Sequence, residues 1–320
     1  MLLKLRHDLV AAGVVNAQFG SLFHRHNLAL RQRTGISVVS MKLAFLGLGR
    51  MGRELVAHIL TDDSYEVTVW NRTPSKADAA VAAGAVLADS AADAVRDADV
   101  VVSCLFGPQS VREVILDAEL PLASSAVWMD VTTVGPEMAR QCDDWAASRG
   151  LRYVHAPVLG SLGPAKAGDL GVLIGGSDVE ARAQARSISS LWADPDRVIE
   201  YDNAALAAVG KLVVNYGLAA CMQGLIEASR LGVAGGLTPD QAVTLVGLPK
   251  TPLSVMTGMK GQTMLSGDYT NTQFSTNLLA KDVRLMLELA DLPALKVALK
   301  SLEDAQSRGQ GEDDFSAMAG

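Results

Sequence analysis

Residues 42–60 read K-L-A-F-L-G-L-G-R-M-G-R-E-L-V-A-H-I-L. Lys42–Leu46 is a short apolar run of the kind that forms a buried strand. It leads directly into Gly47-Leu48-Gly49-Arg50-Met51-Gly52, and Glu54–Leu60 then reads as a helix. A strand, G-x-G-x-x-G and a helix, in that order, suit a bound dinucleotide. The first glycine makes the tight turn and the second lets the backbone approach a pyrophosphate. The third lets helix and strand pack closely, and the helix N-terminus supplies amide donors.

The next strand, Glu66–Trp70, ends in Asn71-Arg72-Thr73. An acidic residue here usually takes the ribose 2′-hydroxyl of NAD, and none is present. Arg72 is suited instead to a 2′-phosphate, with Asn71 and Thr73 as hydrogen-bond donors, so NADP (NADPH) is the expected cofactor. Strands then recur at Val86–Leu87, Asp99–Leu105 and Val127–Asp130, with helices at Ala91–Arg96 and Ser110–Asp117. Such alternation predicts an α/β fold with a Rossmann-type doubly wound parallel sheet. Ligands sit at the carboxyl ends of such strands. The loops at Gly47, Asn71, Leu105-Phe106 and Thr132-Thr133 are therefore expected to line one cleft. Arg152–Ala156, Leu170–Ile174 and Arg197–Glu200 read as further strands, around a helix near Val179–Leu191. A loop rich in Gly, Pro and Ala runs from Pro157 to Gly168.

The character of the chain changes at Asn203–Ile226, where Lys211 is the only charged side chain. A transmembrane helix is disfavoured, because the stretch holds Lys211, Asn215, Gln223 and three glycines and lacks flanking basic residues. Two readings stay open: a core helix whose lysine snorkels to the surface, or a lysine whose pKa is lowered by burial for proton transfer. Asn215 lies one turn on from Lys211 on the same face. Beyond it the pattern is helical, at Pro239–Leu245, Leu253–Met264, Asn277–Leu289 and Pro293–Ser307. The expected layout is a cofactor domain at 41–202 and an all-helical domain at 203–320, joined by a long helix from about 203 to 231.

The 320 residues are 49% hydrophobic, enough for two domains with cores of their own. A formal net charge of −7 argues against a general nucleic-acid surface. The three cysteines and five histidines show neither a disulfide framework nor metal-ligand spacing. No metal is expected, and a cytoplasmic setting is. Residues 1–40 carry five Lys or Arg and one acidic residue, Asp8. They read as an extension outside the core: a targeting peptide, a start codon placed too far upstream of Met41, or a cloning artefact.

Taken together, the motifs resemble the 3-hydroxyacid (β-hydroxyacid) dehydrogenase family, which is related to 6-phosphogluconate dehydrogenase. The resemblance runs from Met41 to about Ala317. It rests on G-L-G-x-M-G at Gly47–Gly52, D-V-T-T-V-G-P at Asp130–Pro136 and A-P-V-L-G-S at Ala156–Ser161. These are followed by G-K-L-x-x-N at Gly210–Asn215, F-x-x-x-L-x-x-K-D at Phe274–Asp282 and G-E-D-D-F-S-A at Gly311–Ala317. The resemblance implies hydride transfer between a small hydroxy acid and nicotinamide, with Lys211 as acid/base and Asn215 as its partner. It places Thr132, Leu159, Gly160 and Ser161 around the substrate carboxylate, Thr133 and Lys281 against the cofactor, and implies homodimers or homotetramers. Leu159 departs from the usual serine and removes a hydroxyl from that loop. Imine reduction and non-catalytic NADP binding are the alternatives.

Overall fold

The computed structural model describes residues 40–320. The predicted extension at 1–40 lies outside the described residues, except for Ser40. The first half alternates strand and helix: β1 (Met41–Leu46), α1 (Arg50–Ile59), β2 (Tyr65–Trp70), α2 (Asp78–Ala82), β3 (Val86–Leu87), α3 (Ala91–Val95), β4 (Val100–Ser103). After β4, α4 (Pro108–Val111) widens into a π-helical turn at Arg112–Leu116. Then come β5 (Val127–Asp130), α5 (Pro136–Ala147), β6 (Arg152–His155), β7 (Val158–Leu159), α6 (Leu162–Ala167), β8 (Leu170–Gly175), α7 (Val179–Ser189) and β9 (Ala193–Tyr201).

Among the described residues these strands make one nine-stranded sheet, ordered β3-β2-β1-β4-β5-β6-β8-β7, with β9 paired to β8. β1 to β6 pair with one another in parallel. The strand order reverses between β1 and β4, which opens the crevice where dinucleotides bind in such sheets. The sheet is dominated by parallel pairs but is not wholly parallel, since β8 runs antiparallel to β6 and β7. The reason is chain length. Only a short α6 separates β7 from β8, and a parallel crossover needs a dozen or more residues. α7 supplies such a crossover next, and β9 returns parallel to β8.

Two apolar layers bury the sheet. Leu55, Val56 and Ile59 of α1 pack with Phe45, Val69 and Val102 on one face. Trp128, Val101, Met138 and Cys142 fill the other, together with Ala204 and Ala208. Those two alanines belong to α8 (Ala204–Ala234), capped by the Asn203 side chain, which accepts from Leu206 N–H. By length and composition α8 is apolar enough to cross a membrane. Here its buried residues Ala204, Ala208, Lys211, Asn215, Ala219, Met222, Ile226 and Ser229 recur every three or four positions, forming one stripe. The first turns of that stripe pack on the sheet. The rest packs in a third cluster with α11 (Thr276–Leu289) and α12 (Pro293–Ser307). α9 (Pro239–Val246), α10 (Ser254–Ser266) and a 3₁₀ turn at Phe315–Ala319 complete the helical half.

A candidate active site at the strand ends

The glycine loop has the shape that its sequence implies. Gly47 sits at φ +102°, and a Cβ there would lie 2.4 Å from the Cys104 carbonyl oxygen. A Cβ on Gly52 would lie 2.1 Å from the Gly47 carbonyl oxygen, so α1 can start this close to β1 only without a side chain. Gly49 faces open space within 4 Å, which leaves its backbone approachable. These glycines fit a dinucleotide pyrophosphate. Leu48 N–H donates to Asn71 Oδ1 at 2.8 Å, and Asn71 Nδ2 donates to the Thr73 carbonyl at 2.9 Å. Asn71 therefore braces the glycine loop against the end of β2, which limits its freedom to serve a phosphate. Arg72 and Thr73 beside it are exposed. The Arg50 guanidinium reaches the Glu312 carbonyl at 3.3 Å, joining the glycine loop to the C-terminal segment. Met51 is half-buried against the sheet core.

The other loops gather at the same end. Leu105 N–H donates to Thr132 Oγ1 at 2.9 Å, tying the loop after β4 to the loop after β5. Phe106 is exposed, and the Lys281 ammonium stands over its ring at 5.9 Å. Lys281 comes from α11, donates to the Thr133 carbonyl at 3.0 Å and pairs with Asp282 Oδ1 at 2.8 Å. Gly107 makes room for it: a Cβ there would meet Lys281 Cδ at 2.7 Å.

Lys211 is buried on the stripe of α8, and its ammonium donates to the Val158 carbonyl at 2.8 Å. Of the two readings left open by the sequence, the buried lysine is the one observed. Burial pulls its pKa down to about 8; Asp282 opposes this and the nearby Lys281 charge adds to it. One turn on, Asn215 Nδ2 donates to Asp282 Oδ2 at 2.6 Å. That bond fixes the amide and leaves its second N–H, with its carbonyl oxygen, for a ligand. Leu159 is paired with Gly171 across β7 and β8, and its Cβ would stand 3.2 Å from a Cβ on that glycine. The strand alternation puts this face with Leu173, which touches the Cα side of Gly210. Leu159 thus stands on the α8 side of the sheet, next to the residue whose carbonyl holds Lys211. Gly160 and Ser161 form the turn that follows, with Ser161 at the N-cap of α6.

The fold therefore brings the Gly47–Gly52, Asn71–Thr73, Leu105-Phe106 and Thr132-Thr133 segments together with Lys281. It sets Lys211 and Asn215 on one helical face and hydrogen-bonds Lys211 to the chain beside Leu159. Asp282 was missed as a site residue. Its signal was present, because it shares the buried face of α11 with Leu279, Val283 and Met286, where a carboxylate needs partners.

The comparisons agree with this geometry. Residues 42–197 match the profile of the NAD-binding domain of 6-phosphogluconate dehydrogenase, and 206–320 match that of the NAD-binding region of NADP-dependent 3-hydroxyisobutyrate dehydrogenase. The NAD-dependent L-serine dehydrogenase of Pseudomonas aeruginosa is 34% identical, over 87% of this chain and 96% of that protein. The structure of Mycobacterium tuberculosis 3-hydroxyisobutyrate dehydrogenase with L-serine matches with a TM-score of 0.75 at 26% identity, over 88% of this chain and 98% of that one. A reductive aminase from Aspergillus terreus with NADPH and ethyl levulinate matches at 23% identity and a TM-score of 0.58, over 87% of this chain and 98% of that one. At that identity it attests the shared fold alone. With a glycine-loop crevice, a helical half and relatives matched nearly end to end, the chain belongs to the 3-hydroxyisobutyrate dehydrogenase-like family of NAD(P)-dependent dehydrogenases, within the 6-phosphogluconate dehydrogenase superfamily.

Proposed function

We propose that the protein interconverts a small 3-hydroxy acid and its semialdehyde or keto form with NADP, and that Lys211 is the general acid/base. The observation that carries this reading is the buried lysine, with its pKa drawn to about 8, in the cleft at the strand ends. In oxidation the neutral amine takes the hydroxyl proton, and in reduction the ammonium returns it. Asn215, held by Asp282 through one amide N–H, offers its second N–H to the reacting oxygen. Thr132, Leu159, Gly160 and Ser161 surround the substrate. Gly47, Leu48, Gly49, Arg50, Met51 and Gly52, with Leu105, Phe106, Thr133 and Lys281, hold the cofactor. When bound, the nicotinamide accepts or supplies the hydride.

A panel of glyoxylate, succinic, methylmalonate and tartronate semialdehydes with NADPH, and 3-hydroxyisobutyrate and L-serine with NADP⁺, tests the reading. Turnover of at least one member is expected. Leu159 lends the cleft an apolar wall, so the methyl-branched semialdehyde should be used more efficiently than glyoxylate. Tight NADPH binding without turnover anywhere in the panel would refute the proposal.

NADP preference is part of the same reading and is supported by exposed Arg72 and the lack of an acid after β2. Arg72→Ala is expected to weaken NADPH binding by about 10- to 100-fold, the worth of a charge-assisted hydrogen bond, and to leave NADH nearly unchanged. Equal losses for both cofactors, measured by fluorescence titration, would count against it. Self-association into a dimer or tetramer also belongs to the proposal. Its support is apolar surface on α8, where Val213 and Leu231 are 65% and 75% exposed.

A further inference from the structure

Behind the cleft lies a buried polar row that no step above uses. Ser103, Asp130 and His155 are register partners at the ends of β4, β5 and β6. All three are fully buried. Side chains in register on parallel strands share a face, and this one is the face of Trp128 and Tyr153, two residues earlier on their strands. Asp130 is the hub. Its Oδ1 accepts from Ser103 Oγ at 2.7 Å and from the Thr132 backbone N–H at 3.1 Å. Ser103 Oγ in turn accepts from Trp128 Nε1 at 2.8 Å. Asp130 Oδ2 faces the Tyr153 hydroxyl at 3.4 Å and His155 Nδ1 at 3.6 Å.

The consequence falls on Thr132. Its backbone is held by Asp130, and its hydroxyl oxygen already accepts from Leu105 N–H. That bond fixes the hydroxyl oxygen and leaves its proton and second lone pair for a ligand. One carboxylate thus sets the loop after β5, and through Thr132 the loop after β4. We propose that Asp130 is a positioning residue: it acts through Thr132 to hold both loops, and so the β4–β5 wall of the cleft, in working position. This rests on the reading of Thr132 as a substrate-side residue. The bonds on Asp130 Oδ1, from Ser103 and from Thr132, are short and buried, and such bonds rigidify what they hold; misplacing a positioning group by about 1 Å can cost about 100-fold in rate.

The test compares Asp130→Asn, Thr132→Val and the double variant in the full-length protein. NADPH affinity is read by fluorescence, kcat and KM on the best substrate of the panel, and folding by the thermal midpoint. Asp130→Asn keeps the size and one acceptor but loses the charge. The expected result is a loss of about 10- to 100-fold in kcat/KM for each single variant, with the double variant no worse than the worse single, because both act on one unit. Losses that multiply in the double variant, or wild-type kinetics in a folded Asp130→Asn, would overturn the proposal. If Asp130→Asn does not fold, Ser103→Ala removes one donor from the same oxygen and is expected to show the same non-multiplying loss with Thr132→Val. Multiplying losses there overturn the proposal equally. If the wild type turns over nothing in the panel, the functional reading fails, while the coupling is still decided by NADPH affinity across the same variants.

Discussion

Lys211→Ala is expected to lower kcat by about 10²- to 10⁴-fold, the usual worth of a positioned acid or base, while NADPH still binds. The ammonium reaches the Val158 carbonyl, inside the cleft, and does not touch the glycine loop. Its removal therefore strips proton transfer and leaves the cofactor cradle standing. The pH dependence follows from a pKa near 8. Oxidation needs the neutral amine, so its rate should rise with pH through about 8. Reduction needs the ammonium, so its rate should fall over the same range. Rates in both directions, measured across pH 6–10, decide the point. Undiminished turnover by Lys211→Ala would remove the lysine from the mechanism, and profiles that rise or fall together would remove its acid/base role.

Asp314→Ala is expected to destabilise the protein by about 3–5 kcal/mol, the cost of stranding one member of a buried ion pair. Lys260 is 5% exposed, and its ammonium lies 2.8 Å from both carboxylate oxygens of Asp314. The same carboxylate accepts from Gln273 N–H at 3.0 Å and from the Ser316 hydroxyl at 2.7 Å, which pins the C-terminal segment across the helical half. Burial pushes the Asp314 pKa up, but the bonds from Lys260 and Ser316 outweigh it, and the net value is lowered. A depressed carboxylate adds stability above its unfolded pKa and loses it as pH falls through the folded one. Wild type should therefore lose stability at acid pH, and Asp314→Ala should lose less over the same window. Replacing both partners, as in Lys260→Met/Asp314→Leu, should cost less than Asp314→Ala alone. Urea unfolding of the three proteins provides the comparison, and a single-variant loss under 1 kcal/mol would contradict the prediction.

What the sequence made legible divides along physical lines. β5 and α12 were read to the residue, because three apolar residues closed by an aspartate and an amphipathic run opening on proline mark their own ends. β7 was read as loop: two residues carry no period, and the Gly- and Pro-rich segment between it and β8 masks their pairing. α5 was passed over, since only alternation implied a crossover between β5 and β6. β9 proved longer than Arg197–Glu200, because Asp194-Pro195-Asp196 hides its start. In the site, short-range motifs placed the glycine loop and Lys211. The Asp282 bond to Asn215 and the Ser103 bond to Asp130 join residues from different elements, and spacing along the chain does not announce these pairings. Asn71 shows the converse. Its position suggested a phosphate contact, and its amide also braces Leu48 and Thr73.

α8 runs unbroken for 31 residues, about 46 Å at 1.5 Å per residue. It contains glycines but no proline, so it has no built-in joint. Its first turns are embedded in the sheet layer and its later turns in the helical cluster. The two halves are consequently mounted on one beam and have little freedom to swing apart. Small latches also cross the gap, Arg50 on Glu312 and Lys281 on Thr133, each made by a long side chain on a backbone carbonyl. Such latches reset on the timescale of side-chain rotation, far faster than a hinged domain.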